Sequence, residues 1–92
     1  MYVVVAYDVV SDRRRTRLAK RLLDFLPRVQ KSVFEGELPD HRFRELEKTL
    51  EDGIDPATDS VRIYHLCGRC WSSVVELGCG ATPADSDDDA VV

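Results

Sequence analysis

Apolar and polar positions recur along this chain with periods that predict most of its elements. Tyr2–Asp8 (Tyr-Val-Val-Val-Ala-Tyr-Asp) is β-branched and aromatic and ends on a carboxylate, which predicts a buried strand. Its pleat puts Val3, Val5 and Tyr7 on one face and Val4, Ala6 and Asp8 on the other. From Asp12 the period lengthens. Arg15, Leu18, Ala19, Leu22 and Leu26 share one helical face, Leu23 and Phe25 widen it, and Arg13, Arg14, Arg17, Lys20 and Arg21 fall outside. Ser11 or Asp12 can cap this helix. Pro27 disfavours helical geometry at Leu26, so the expected helix is about 12–26.

Arg28–Glu35 reads as a strand, either single or broken near Ser32. One face carries Val29, Lys31, Val33 and Glu35; the other carries Arg28, Gln30, Ser32 and Phe34. A mostly polar face with one large aromatic suggests a functional or interface surface, and equally an ordinary half-exposed strand with Phe34 in the core. Pro39-Asp40 opens a second helix with the stripe Phe43, Leu46 and Leu50, and Gly53 suits its C-terminal cap. A polar loop, 52–59, leads to a strand at Val61–Cys67. Gly68-Arg69 reads as a short connection, and Ser73–Leu77 as a further strand closed by Gly78. The succession predicts one α+β domain over residues 1–80, an antiparallel sheet with both helices on one face. The first strand is apolar on both faces and expects cover on both. A second copy of the same sheet supplies it, which predicts a two-fold homodimer through the open face.

Length and charge refine this. A chain of 92 residues is one domain with a limited core, which association would help. Its apolar runs are too short to span a bilayer, and no secretory leader is recognisable, so the cytoplasm is the expected compartment. The net charge of −4 hides an asymmetry. Residues 1–31 hold eight Lys/Arg and three acids; the remainder holds five and fourteen. A polyanion would find the N-terminal third attractive, although a basic helix is more often simply a solvated face. The acidic tail, 81–92, has two fates open to it: disorder, or an edge strand from Ala90–Val92 added to a partner.

Three constellations carry possible chemistry. Asp8, at a strand tip beside a run of arginines, suits a Mg²⁺ ligand. One carboxylate is too few, and a dimer axis would supply the second; the alternative is a strand-end residue capping the helix or pairing with an arginine. Cys67-Gly-Arg-Cys70 has the spacing of half a zinc site, which His65 and Cys79 would complete on paper. It has redox spacing too, but redox pairs of that kind sit at helix N-termini, and this one is expected between strands, as reduced thiols at a turn. Trp71 excludes haem attachment. Arg15, Arg17 and Arg28 are candidate phosphate contacts.

Tyr7-Asp8-Val9, then Arg13–Arg17 and Ala19-Lys20, then Arg28-Val-Gln-Lys-Ser-Val-Phe-Glu-Gly36 resemble the second core protein of CRISPR adaptation. That family comprises small CRISPR-associated endonucleases that work with the CRISPR integrase in acquiring spacers. The similarity runs on through Ser60–Leu66, the Cys67–Cys70 turn and Val75-Glu-Leu-Gly78. The resemblance implies a ferredoxin-like fold, a homodimer with sheets face to face, and one Mg²⁺ at the dimer axis with Asp8 as ligand. It places Tyr7, Ser32 and Phe34 around the active site, and Arg15, Arg17 and Arg28 against nucleic acid. It implies metal-dependent hydrolysis of RNA or DNA. Alternatively, it implies a non-catalytic scaffold that holds DNA between integrase dimers.

Overall fold

The computed structural model of the chain describes residues 1–78. Cys79 and the acidic tail at 81–92, with the edge strand expected of Ala90–Val92, lie outside the described residues. The elements are β1 (Tyr2–Asp8), α1 (Asp12–Leu22), β2 (Arg28–Gln30), β3 (Val33–Glu37), α2 (Asp40–Gly53), β4 (Ser60–Leu66) and α3 (Gly68–Ser72). The four strands form one sheet in the order β2-β3-β1-β4, every neighbouring pair antiparallel. β1 is central. Val5 lies opposite Phe34 on one side and Ile63 on the other, so three strands present one apolar row to the helices.

That row is the core. Val3, Val5, Tyr7 and Val9 join Phe34 and Leu38, and the helices add Leu18, Ala19, Leu22, Leu46 and Leu50. The other face carries no helical cover from α1 or α2. Val4 and Ala6 are only half-buried there and Asp8 is exposed. This is the ferredoxin-like α+β arrangement, and the alternation along β1 assigns each of its side chains to the predicted face.

Three local expectations are corrected, and one open alternative, the break near Ser32, is settled. The helix over 12–26 ends at Leu22. Phe25 donates to the Leu22 carbonyl at 2.9 Å and Leu26 to the same carbonyl at 3.0 Å. This tightened turn keeps Leu26 buried while Pro27 leads the chain into the sheet. Arg28–Glu35 is two strands with a turn at Lys31-Ser32 and an irregular register between Arg28 and Gln30. The turn resets the alternation, so Ser32 leaves the supposed polar face and Phe34 points fully buried into the core. Gly53 is not a left-handed cap; the only positive-φ glycine among the described residues is Gly78. A Cβ at Gly53 would stand 2.8 Å from Leu18 Cδ1, so glycine serves the close approach of α2 to α1. Finally, Ser73–Leu77 forms no strand. The connection after β4 coils into α3 instead, and Val75 and Leu77 are left exposed. A strand requires a neighbour for its N–H and C=O groups, and this chain offers none there among the described residues.

Candidate active site at the end of the first strand

The pleat of β1 decides which candidate residues can meet. Asp8, the last residue of the strand, sits opposite Ser60 of β4. Its carboxylate is exposed on the uncovered face. Among the described residues, no hydrogen bond or ion pair engages it, and no group of three or more His, Cys, Asp or Glu side chains is placed to hold a metal ion. Tyr7, one residue earlier, points the opposite way. Its ring stacks on Phe34 with centroids 6.2 Å apart, and its backbone N–H donates to the Ser32 carbonyl at 3.1 Å. The Tyr7 hydroxyl is buried without a hydrogen-bond partner among the described residues. Burial pushes the phenol's pKa up, and the positive charges of Arg28 and Arg15 pull it part of the way back.

The arginines divide the same way. Arg28 lies 5.8 Å from the Phe34 ring centroid. Its guanidinium donates to the Lys31 carbonyl from Nε at 3.1 Å and Nη2 at 2.7 Å, which pins the β2–β3 turn. Arg15 donates to the Val9 carbonyl at 2.8 Å and pairs with Asp12, so it braces the backbone immediately after Asp8. Arg17 is exposed. Tyr7, Phe34, Arg15 and Arg28 are thus grouped beneath the strand end, Ser32 meets them through its backbone, and Asp8 stands on the other side of the sheet.

A residue pair that the sequence did not single out holds this end of the sheet together. Ser11 caps α1 through the Arg14 N–H at 3.2 Å, so Arg14 is fixed at the first turn. From there Arg14 forms a bidentate pair with Asp59, Nε to Oδ2 at 3.0 Å and Nη2 to Oδ1 at 3.1 Å. Asp59 also accepts from Val10 N–H at 3.1 Å, from Asp55 N–H at 2.8 Å and from the Thr58 hydroxyl at 3.1 Å. It is the one buried charged residue of the described chain. The Arg14 guanidinium and these donors hold its carboxyl well below the usual carboxylate range, against the opposing effect of burial. The clamp joins the loop after Asp8 to the loop before Ser60. Arg14 is therefore not merely one of the outer-face bases. The only sequence signal was an acid immediately ahead of a strand, and nothing local names its partner 45 residues away.

A model of the family described as CRISPR associated protein Cas2 matches residues 1–74. The chain belongs to the Cas2 family. Over 85 residues it is 41% identical to CRISPR-associated endoribonuclease Cas2 3 of Chloroflexus aurantiacus, covering 92% of this chain and 91% of that protein. Its structure is similar to Cas2 of Streptococcus pyogenes at pH 6.5, with a TM-score of 0.75 and 36% identity over 85% of this chain and all of that one. It also resembles a chain of a partial Cas6-RT-Cas1–Cas2 complex, with a TM-score of 0.68 and 27% identity, covering 83% of this chain and 89% of that one. No described helix of this Cas2-family chain is long and apolar enough to cross a membrane.

Proposed function

We propose that this Cas2-family chain serves CRISPR spacer acquisition as a nucleic-acid-binding homodimer, with Mg²⁺-dependent endonuclease activity centred on Asp8. The observation that carries the reading is the position of that carboxylate: exposed, unengaged by its neighbours, and on the sheet face that the helices leave uncovered. Mg²⁺ takes hard oxygen ligands, usually one or two carboxylates with water and substrate oxygens. Asp8 fits one such ligand, and a two-fold through the open face would bring a second copy to it. When bound, the ion would polarise a phosphoryl oxygen and lower the pKa of a water. The chain's own residues orient the substrate. Arg17 is exposed and available to a phosphate, and Arg15 and Arg28 set positive charge around the strand end, Arg15 bracing the backbone after Asp8 and Arg28 the β2–β3 turn. Tyr7, Ser32 and Phe34 shape the site by fixing the strand from beneath.

The test is cleavage of single-stranded RNA and double-stranded DNA by the purified chain with Mg²⁺, before and after Asp8→Ala. The expected result is loss of cleavage with an unchanged dimer. Cleavage at the parental rate would remove Asp8 from the reaction.

A second reading, a DNA-holding scaffold for the CRISPR integrase, is favoured by the separation of Asp8 from Tyr7 and Phe34. Within one chain, Asp8 has no group of three or more His, Cys, Asp or Glu side chains around it among the described residues, and the register places Arg62 and Glu35 on its face nearer the middle of the sheet. The likeness to a chain from a Cas1-containing complex supports it as well. Spacer acquisition in cells carrying Asp8→Ala separates the readings: retained acquisition supports the scaffold, and lost acquisition supports catalysis.

A further inference from the structure

β4 ends at Leu66 and the chain coils at once into α3, with Cys67 as its N-cap. The sequence suggested that the Cys-x-x-Cys pair lies between two strands; the structure puts both cysteines on one helical turn. Their sulfurs are 3.3 Å apart, and the Cys70 backbone N–H donates to the Cys67 sulfur at 3.4 Å. Both thiols are exposed. The next residue, Trp71, stacks against Tyr2 with ring centroids 5.2 Å apart. The Tyr2 hydroxyl donates to Glu35 at 2.9 Å. The turn that carries the thiols is therefore fastened to the sheet.

We propose that Cys67 and Cys70 are a reversible dithiol, closing to an intrachain disulfide by exchange with a small-molecule disulfide. A disulfide needs its sulfurs about 2.05 Å apart, so the observed separation closes by side-chain rotation with the helical turn intact. A metal explains the pair less well. Structural zinc takes four Cys or His donors, and no cluster of three or more candidate ligands occurs among the described residues. The two sulfurs are unequal. The N–H donated by Cys70 favours the thiolate at Cys67 and lowers its pKa, while the neighbouring Cys67 sulfur raises that of Cys70. Cys67 is thus the attacking sulfur and Cys70 the resolving one. The Cys67 thiolate attacks one sulfur of the small disulfide, breaking that S–S bond and releasing one thiolate, which takes up a proton. Cys70 loses its proton and attacks the Cys67 sulfur of the mixed disulfide, forming the Cys67–Cys70 bond and releasing the second thiolate, which takes up the proton Cys70 gave. The two protein thiols are oxidised by two electrons, and the small disulfide is reduced to two thiols.

The experiment incubates the full 92-residue chain with oxidised and reduced glutathione at graded ratios. Free thiols are then alkylated, and the peptides are read by mass. The expected product is a linked Cys67–Cys70 peptide, lighter by two hydrogens, formed alike in the native chain and in Cys79→Ser. Dithiothreitol reverses it, and the emission of Trp71, the only tryptophan of the chain, shifts with it. Cys70→Ser stops at a glutathione adduct on Cys67, and Cys67→Ser forms its adduct on Cys70 more slowly, because the N–H that favours the Cys67 thiolate has no counterpart at Cys70. Chains joined through Cys79, equal adduct rates at the two positions, or Zn²⁺ shielding both thiols with no disulfide at any ratio would each overturn the proposal.

Discussion

Asp59 is where pH acts most directly on the fold. Arg14 holds its carboxyl well below the ordinary range, with burial opposing and the N–H groups of Asp55 and Val10 reinforcing. In the unfolded chain the same group titrates near 3.9. The unfolded chain therefore binds this proton more readily, and stability contributed by Asp59 is complete above about pH 4 and drains away as pH falls toward the folded value. Thermal unfolding followed by circular dichroism should show a midpoint that declines below about pH 4. Asp59→Asn should flatten that decline and lower the midpoint at neutral pH by more than the exposed exchange Glu47→Gln. Tyr7 tests a different effect. Its hydroxyl is buried with no partner among the described residues, and such a group costs about 1–3 kcal/mol of desolvation. Tyr7→Phe should leave denaturant stability unchanged or raise it by up to about 1 kcal/mol. A fall in cleavage by that stable variant would assign the hydroxyl to the reaction.

The helices meet where a side chain is missing. Leu18 is fully buried, and its Cδ1 occupies the space a Cβ on Gly53 would claim. Gly53→Ala should destabilise by about 1–3 kcal/mol through overpacking, despite alanine's better helix propensity; urea unfolding measures it. The case shows what was legible at this scale. Hydrophobic period located β1, both long helices and β4, because each buries one face and period reports burial. It also flagged Gly53 as special, but for the wrong reason, since a close approach between helices depends on a partner 35 positions away (Leu18 in α1, Gly53 in α2). Ser73–Leu77 misled for a related reason. Composition offered β-branched residues, but strand formation is a property of a pair, and α3 carries the chain away from β4. The break at Ser32 was visible as an option only, since turn and strand compete there on nearly equal terms.

For the molecule as a whole, the uncovered sheet face is the main unspent resource. Under the proposed assembly, Val4, Ala6 and Val33 meet their counterparts in a second copy. Val4→Lys should then give a folded single subunit by sedimentation, with the native circular dichroism spectrum, because the substitution leaves the helix-covered core untouched. A variant that sediments like the parent would place the interface elsewhere. Much of the candidate site was readable in advance: the strand-end carboxylate, the arginine run and their spacing are local features. Its internal division was not. Alternation along β1 stated that Tyr7 and Asp8 face opposite ways, yet only the covered and uncovered faces of the finished sheet turn that into a separation of core from rim.

The Asp59 clamp has a consequence for motion. The amides of Val10 and Asp55 end on the two oxygens of one carboxylate, although they belong to loops far apart in sequence. Displacement of that carboxylate frees both at once. In native-state hydrogen–deuterium exchange these two protons should therefore share one protection factor and lose it together in Asp59→Asn, a small cooperative unit opening ahead of the strands it borders.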